Sequence, residues 1–186
     1  INKSTMNSIT FDPSVGTRRR PSRANACCCA LLLWFGASCL AAVEPLQIWP
    51  VDSLVKVFRD AKPGAFGPAR QEVARGETAS LQVVVQADAP IEQLSASVSP
   101  LRVALTGAAL TARKPRFVGY VPVDRPTQTP SRDQLRKPPA DYPDPLLENP
   151  TCAVPAKQAQ PIWVTVPVPE TAAPGQIGRA SCRERV

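Results

Sequence analysis

The chain comprises 186 residues, with 22 lysines and arginines against 15 aspartates and glutamates, a formal net charge of +7 and no histidine. Without histidine it can build neither a His-ligated zinc site nor a Ser-His or Cys-His nucleophile pair. It also lacks a glycine-rich phosphate loop, so no metal and no cofactor is implied. The charge is unevenly spread: Ala42 to Gln176 carries 14 basic and 13 acidic residues. The clustered basic face of a nucleic-acid-binding domain is therefore not expected there.

In chain order, the first 41 residues form a targeting segment behind a short upstream stretch. Arg18, Arg19, Arg20 and Arg23 make a basic region, "ACCCALLLWFGA" an apolar run from Ala26 to Ala37, and "SCLAA" a small-residue cleavage site. That order is the signature of a secretory signal peptide. The apolar run is shorter than the roughly 20 residues a bilayer-spanning helix needs. Cleavage after Ala41 leaves Cys39 and Ala41 at the small positions; lipidation of Cys39 is the alternative. An exported protein, periplasmic or extracellular and without a transmembrane span in its mature part, is expected. Cys27, Cys28, Cys29 and Cys39 then belong to the leader, and Cys152 is the cysteine of the mature segment.

From Ala42 to Gly175 the pattern is that of strands. "LQIW" and "LVKVF" are short candidates, and "RQEVA" and "TASLQ" flank "RGE", whose Gly76 suits a hairpin turn. "TASLQVVVQA" sets Leu81, Val83 and Val85 against Gln82 and Gln86, the alternation of a half-buried strand. "LSASVS", "RFVGYVPV" and "IWVTVPV" alternate likewise. Pro122 and Pro167 push their strands toward edges or ends. Asp124 to Pro161, with nine prolines, is expected to be a long irregular loop, of the kind that is usually functional or linker-like; its "DYPDPLLENP" is expected to dock on a neighbouring domain. Short strands punctuated by proline and glycine predict an all-β fold, an antiparallel β-sandwich. Trp49, Tyr120, Tyr142 and Trp163 are the aromatics able to stack on a sugar or pack between domains, with Asp144 beside them. For Trp49 and Trp163, which lie in strand patterns, ordinary core packing is the competing assignment.

The last residues change idiom. Gln176 to Val186, "QIGRASCRERV", back-translate in one frame to a common short-read library adapter whose next codon is a stop. Residues 176–186 are thus expected to be a non-native tail, to be left out of fold reasoning, and the sandwich to be truncated there.

The ordered set "LQIWPVDSLVKVF", "ARGETASLQVVV", "FVGYVPVDRPT", "YPDPLL" and "QPIWVTVPVPETAAPG" resembles the N-terminal β-sandwich region of secreted bacterial proteins that carry the domain of unknown function 4091, which are similar to glycoside hydrolase family 123. The resemblance runs from about Leu46 to Gly175. It implies a parent protein in which this sandwich precedes a (β/α)8-type barrel that removes β-linked N-acetylgalactosamine. In that family an adjacent Asp–Glu pair assists attack by the substrate's own acetamido oxygen, a departure from the two-carboxylate scheme. No residue here matches that pair, so no catalytic residue is assigned; Asp141, Asp144 and Glu148 carry no sign of one. The resemblance implies an accessory domain of an exported glycoside hydrolase, with the barrel of the same chain as its partner. The alternative is a non-catalytic carbohydrate-binding or cell-surface interaction module.

Overall fold

The computed structural model describes residues 6–11, 46–103, 106–126, 128–129, 132–180 and 182–185. The expected leader, including Cys39, lies outside them. Among the described residues all regular structure is β. The first strands are β1 (Met6–Phe11), β2 (Gln47–Asp52), β3 (Ala69–Ala74), β4 (Thr78–Gln86), β5 (Ile91–Val98), β6 (Leu101–Val103) and β7 (Ala109–Leu110). The chain continues with β8 (Arg116–Val123), β9 (Ala140–Leu147), β10 (Cys152–Val154), β11 (Gln160–Pro167), β12 (Gly175–Ala180) and β13 (Cys182–Arg185).

The principal sheet is antiparallel with order β2-β4-β11-β8-β9. One face of it meets a second five-stranded sheet, β3-β1-β12-β6-β7, and a three-stranded sheet, β10-β5-β13. Only the β1–β12 pair is parallel among these pairings. Leu81 and Val83 from β4 and Val164 and Val166 from β11 pack against Val73, Leu101, Val103, Leu110 and Ile177. Val85, Phe117 and Ile162 pack against Ile91, Leu94 and Val154. Apolar residues at alternate positions therefore face a common core, as strand geometry requires. The expected β-sandwich is the fold.

Three local expectations are corrected. "LVKVF" does not form a strand: its alternation mimics one, but the stretch is a turn and strap in which Leu54 is 90% exposed and Val57 is buried. The segments on either side of Gly76 do not pair as a hairpin. Gly76 takes φ +81° and Glu77 N–H donates to Ala74 O, yet β3 joins β1 while β4 enters the principal sheet between β2 and β11. The turn is a corner between layers, locked by reciprocal backbone bonds from Gly76 N–H to Val168 O and from Val168 N–H to Glu77 O. Finally, the proline-rich stretch 124–161 contains β9 and β10. Strand β9 holds Pro143 and Pro145 because it lies at the sheet edge, where one row of N–H groups has no ladder to join. That edge resists further strand pairing.

Pro167 closes β11, as its missing donor predicts. Pro122 lies in the half of β8 that pairs with β9 but not with β11. The backbone of the adapter-like tail forms β12 and β13, and Ile177 is fully buried in the core.

Candidate functional site

The other face of the principal sheet positions the side chains of interest. It is crossed by the β2–β3 connection, residues 53–62, which lies on it as a strap. Asp52 starts the strap: its carboxylate accepts from Leu54 N–H at 2.8 Å, and its carbonyl accepts from Val55 N–H at 3.2 Å, a local turn that Asp side chains favour. Gln82, on central strand β4, is buried, and its amide donates to Asp52 O at 3.0 Å and Val55 O at 2.8 Å. Gln86 donates in the same way to Lys157 O at 2.8 Å. Ala159 N–H donates to Arg59 O at 2.8 Å. Gln82 and the half-buried Gln86 thus satisfy carbonyls of the loops that cross the sheet.

Trp49 and Tyr120 lie beneath the strap. Trp49 is 4% exposed and packs with Val57, Val84 and Ala159, so its ring offers no face to a sugar. The Tyr120 hydroxyl is 3.1 Å from both Val57 O and Ala159 O, and the Arg59 guanidinium stands 4.1 Å over its ring. Burial pushes the Tyr120 phenol up to about 12, the nearby Arg59 charge opposing that rise. At neutral pH it is a hydroxyl donor, not a base.

Along the β9 edge, the strap is clasped by charge and aromatic contacts. Lys56 Nζ reaches Asp144 Oδ1 at 3.1 Å and Pro143 O at 3.0 Å. Arg59 meets Asp141 at 3.4 Å, and Arg136 meets Asp60 at 2.8 Å. Arg136 also lies 4.0 Å over the Phe58 ring, which meets Tyr142 edge-on at 5.4 Å; the Tyr142 hydroxyl donates to Arg136 O. The hydrogen bond from Arg136 holds the Asp60 carboxyl below its usual range. The paired charges are largely exposed, so each ion pair contributes roughly 0–1 kcal/mol. The apolar underside and the Gln82 amide hold the strap more firmly.

Beside this clasp lies a groove of about 450 Å³ lined by Lys56, Val123, Arg125, Leu135, Pro138 and Tyr142, among others. The exposed large apolar residues Leu54, Val55, Phe66, Val121, Leu135 and Leu147 all come from the β2–β3 connection, β8, β9 or the segment joining β8 to β9.

Of the residues singled out from the sequence, Tyr142 and Asp144 thus come together on β9 with Lys56. Tyr120 lies under the strap and Trp49 within the core. Trp163 stands apart on β11, half-buried, opposite Gln82 on one side and Arg116 on the other. Sequence reasoning missed Lys56, Phe58, Arg59 and Arg136, which clasp the strap; the mixed charged and apolar pattern of "LVKVFRD" is the one signal of the first three, and it imitates a strand, while Arg136 has none. Cys152 is half-buried, and burial pushes its thiol up. Among the described residues no group of three or more Cys, Asp or Glu is placed to hold a metal ion, and no helix is long and apolar enough to cross a membrane.

Comparison with known proteins gives one family. The model described as the glycoside hydrolase 123 N-terminal domain matches residues 50–178. Among solved structures, the chain is similar to a family 123 glycoside hydrolase from Clostridium perfringens, the subject of a structural study of glycolipid glycan hydrolysis. Identity is 15%, the TM-score is 0.49 and the match covers 60% of this chain. The chain spans 18% of the length of that protein. No curated protein matches.

Proposed function

Because the chain belongs to the glycoside hydrolase 123 N-terminal domain family, we propose that it is the non-catalytic front domain of an exported glycoside hydrolase, and that its strap and β9 face seat a catalytic domain of the same polypeptide. The observation that carries this reading is the state of the carboxylates on that face. Asp60, Asp141 and Asp144 are each paired with a cation, Arg136, Arg59 and Lys56 respectively. A general acid for glycoside cleavage needs a carboxyl whose pKa is raised, whereas Asp60 is shifted the other way. These acids hold a surface in shape. Exposed apolar side chains of the β2–β3 connection and of the segment joining β8 to β9, Leu54, Val55, Phe66 and Leu135, support docking. The missing partner is a (β/α)8-type barrel, expected to release β-linked N-acetylgalactosamine. Residues 1–41 are the upstream stretch and secretory leader. Residues 176–186 are non-native in this reading, with Ile177 filling a fully buried core position.

The test is hydrolysis of a chromogenic β-N-acetylgalactosaminide by the complete gene product and by this chain. Release of the chromophore by the complete protein alone is expected. Turnover by this chain on its own, or none by the complete protein, would overturn the assignment.

A further inference from the structure

At the start of β8 and the end of β9, Arg113, Lys114, Arg116 and Glu148 line a second pocket of about 270 Å³. The run from Arg113 to Arg116 places three cations in four residues. Arg113 N–H donates to Thr165 O at 2.8 Å, which fixes the run beside β11. Lys114 Nζ reaches the Glu148 carbonyl at 3.5 Å. Among the described residues, no carboxylate lies within ion-pairing distance of Arg113, Lys114 or Arg116, although Asp60, Asp141 and Asp144 are all paired elsewhere. Three positive charges thus face one pocket with a single carboxylate on its wall.

The register adds an aromatic. Arg116 on β8 is directly opposite Trp163 on β11. Directly opposed residues of an antiparallel pair share a face with their Cβ atoms about 5 Å apart. Trp163 is half-buried and so keeps part of its ring at the surface. Guanidinium groups bind carboxylate and sulfate oxygens in a forked, charge-assisted geometry, and an indole face suits the apolar face of a sugar ring. The volume falls below the roughly 300–1,000 Å³ of sites for drug-sized ligands, room for one small ring.

We propose that the Arg113–Lys114–Arg116 pocket with Trp163 binds an acidic sugar unit, its oxyanion on the guanidinium groups and its ring on the indole. The oxyanion can be a sulfate ester or a uronic carboxylate. This goes beyond the front-domain assignment and does not depend on hydrolysis by any partner.

The experiment titrates this chain with glucose 6-sulfate, glucuronic acid, glucose and inorganic sulfate, following tryptophan fluorescence and, in parallel, calorimetry. Saturable binding of one or both acidic sugars is expected, weakened by salt, with glucose and inorganic sulfate each bound about tenfold or more weakly. Whichever acidic sugar binds identifies the oxyanion. The double variant Arg113→Ala/Arg116→Ala is expected to lose roughly ten- to a hundredfold in affinity. Its side chains lie at the surface, and an unchanged melting transition would show that its fold is intact. Trp163→Phe, read by calorimetry, should retain partial binding. Equal affinity for inorganic sulfate would reduce the site to a simple ion contact and overturn the sugar assignment. Absence of saturable binding, or binding that survives in a folded double variant, would overturn the proposal altogether.

Discussion

Replacing Trp49 by alanine is expected to lower the stability of the domain by about 3–5 kcal/mol, the cost of emptying a large aromatic site in a packed interior. The ring is almost fully buried among Val57, Val84 and Ala159, and the β2–β3 connection closes over it so tightly that Gly64, just past the strap, has no room for a side chain. A Cβ built there would stand 2.7 Å from Trp49 Cδ1, which makes glycine a steric requirement at that position. Thermal or denaturant unfolding of Trp49→Ala measures the loss. A change of less than about 1 kcal/mol would mean that the ring is held loosely and that the strap does not seal this face.

Gln82→Leu is expected to cost about 2–3 kcal/mol despite its similar volume. The substitution removes the donor to Asp52 O and Val55 O; Asp52 O keeps the Val55 N–H, but Val55 O loses this partner, and a carbonyl left unpaired beneath the strap costs about 1–3 kcal/mol. The loss should also be local: amides of residues 53–62 should exchange faster while those of β11 keep their protection. Denaturant unfolding gives the first quantity and hydrogen exchange the second. If Gln82→Leu were neutral or stabilising, the strap would be held by its apolar contacts alone.

These two residues also mark where the sequence could and could not be read. Strands β4 and β11 are visible because Leu81 and Ile162 begin alternations that stay buried, and β5 and β8 because theirs begin at the buried Leu94 and Phe117. Alternation shows which residues share a face, not what covers that face. Gln82 looked like a solvent-side residue, but β4 is a central strand covered on both sides, which turns a surface glutamine into a buried clamp. Strand β9 escaped because Pro143 and Pro145 lower strand propensity everywhere except at an edge, and edge status is a property of topology rather than of local composition. "LVKVF" errs in the opposite sense: its apolar residues suggest a strand, but in the strap only Val57 of them is buried while Leu54 and Val55 are exposed. The Lys56–Asp144 and Arg136–Asp60 pairs join residues 88 and 76 positions apart in sequence. Their partnership depends on the fold and could not be seen beforehand. Of the candidate aromatics, only chain order on a strand linked Tyr142 to Asp144, while the separation of Trp163 from both follows from β11 lying in the sheet interior.

The account rests on a front domain that presents its strap and β9 edge to a catalytic partner in the same polypeptide. Hydrogen exchange on the complete gene product, compared with this chain alone, tests it directly. Amides in residues 53–62 and 140–147 should be slowed by about tenfold or more in the complete protein, while those of β4 and β11 change little. Identical exchange of the strap and β9 in the two proteins would show that this face meets no partner and would contradict the account.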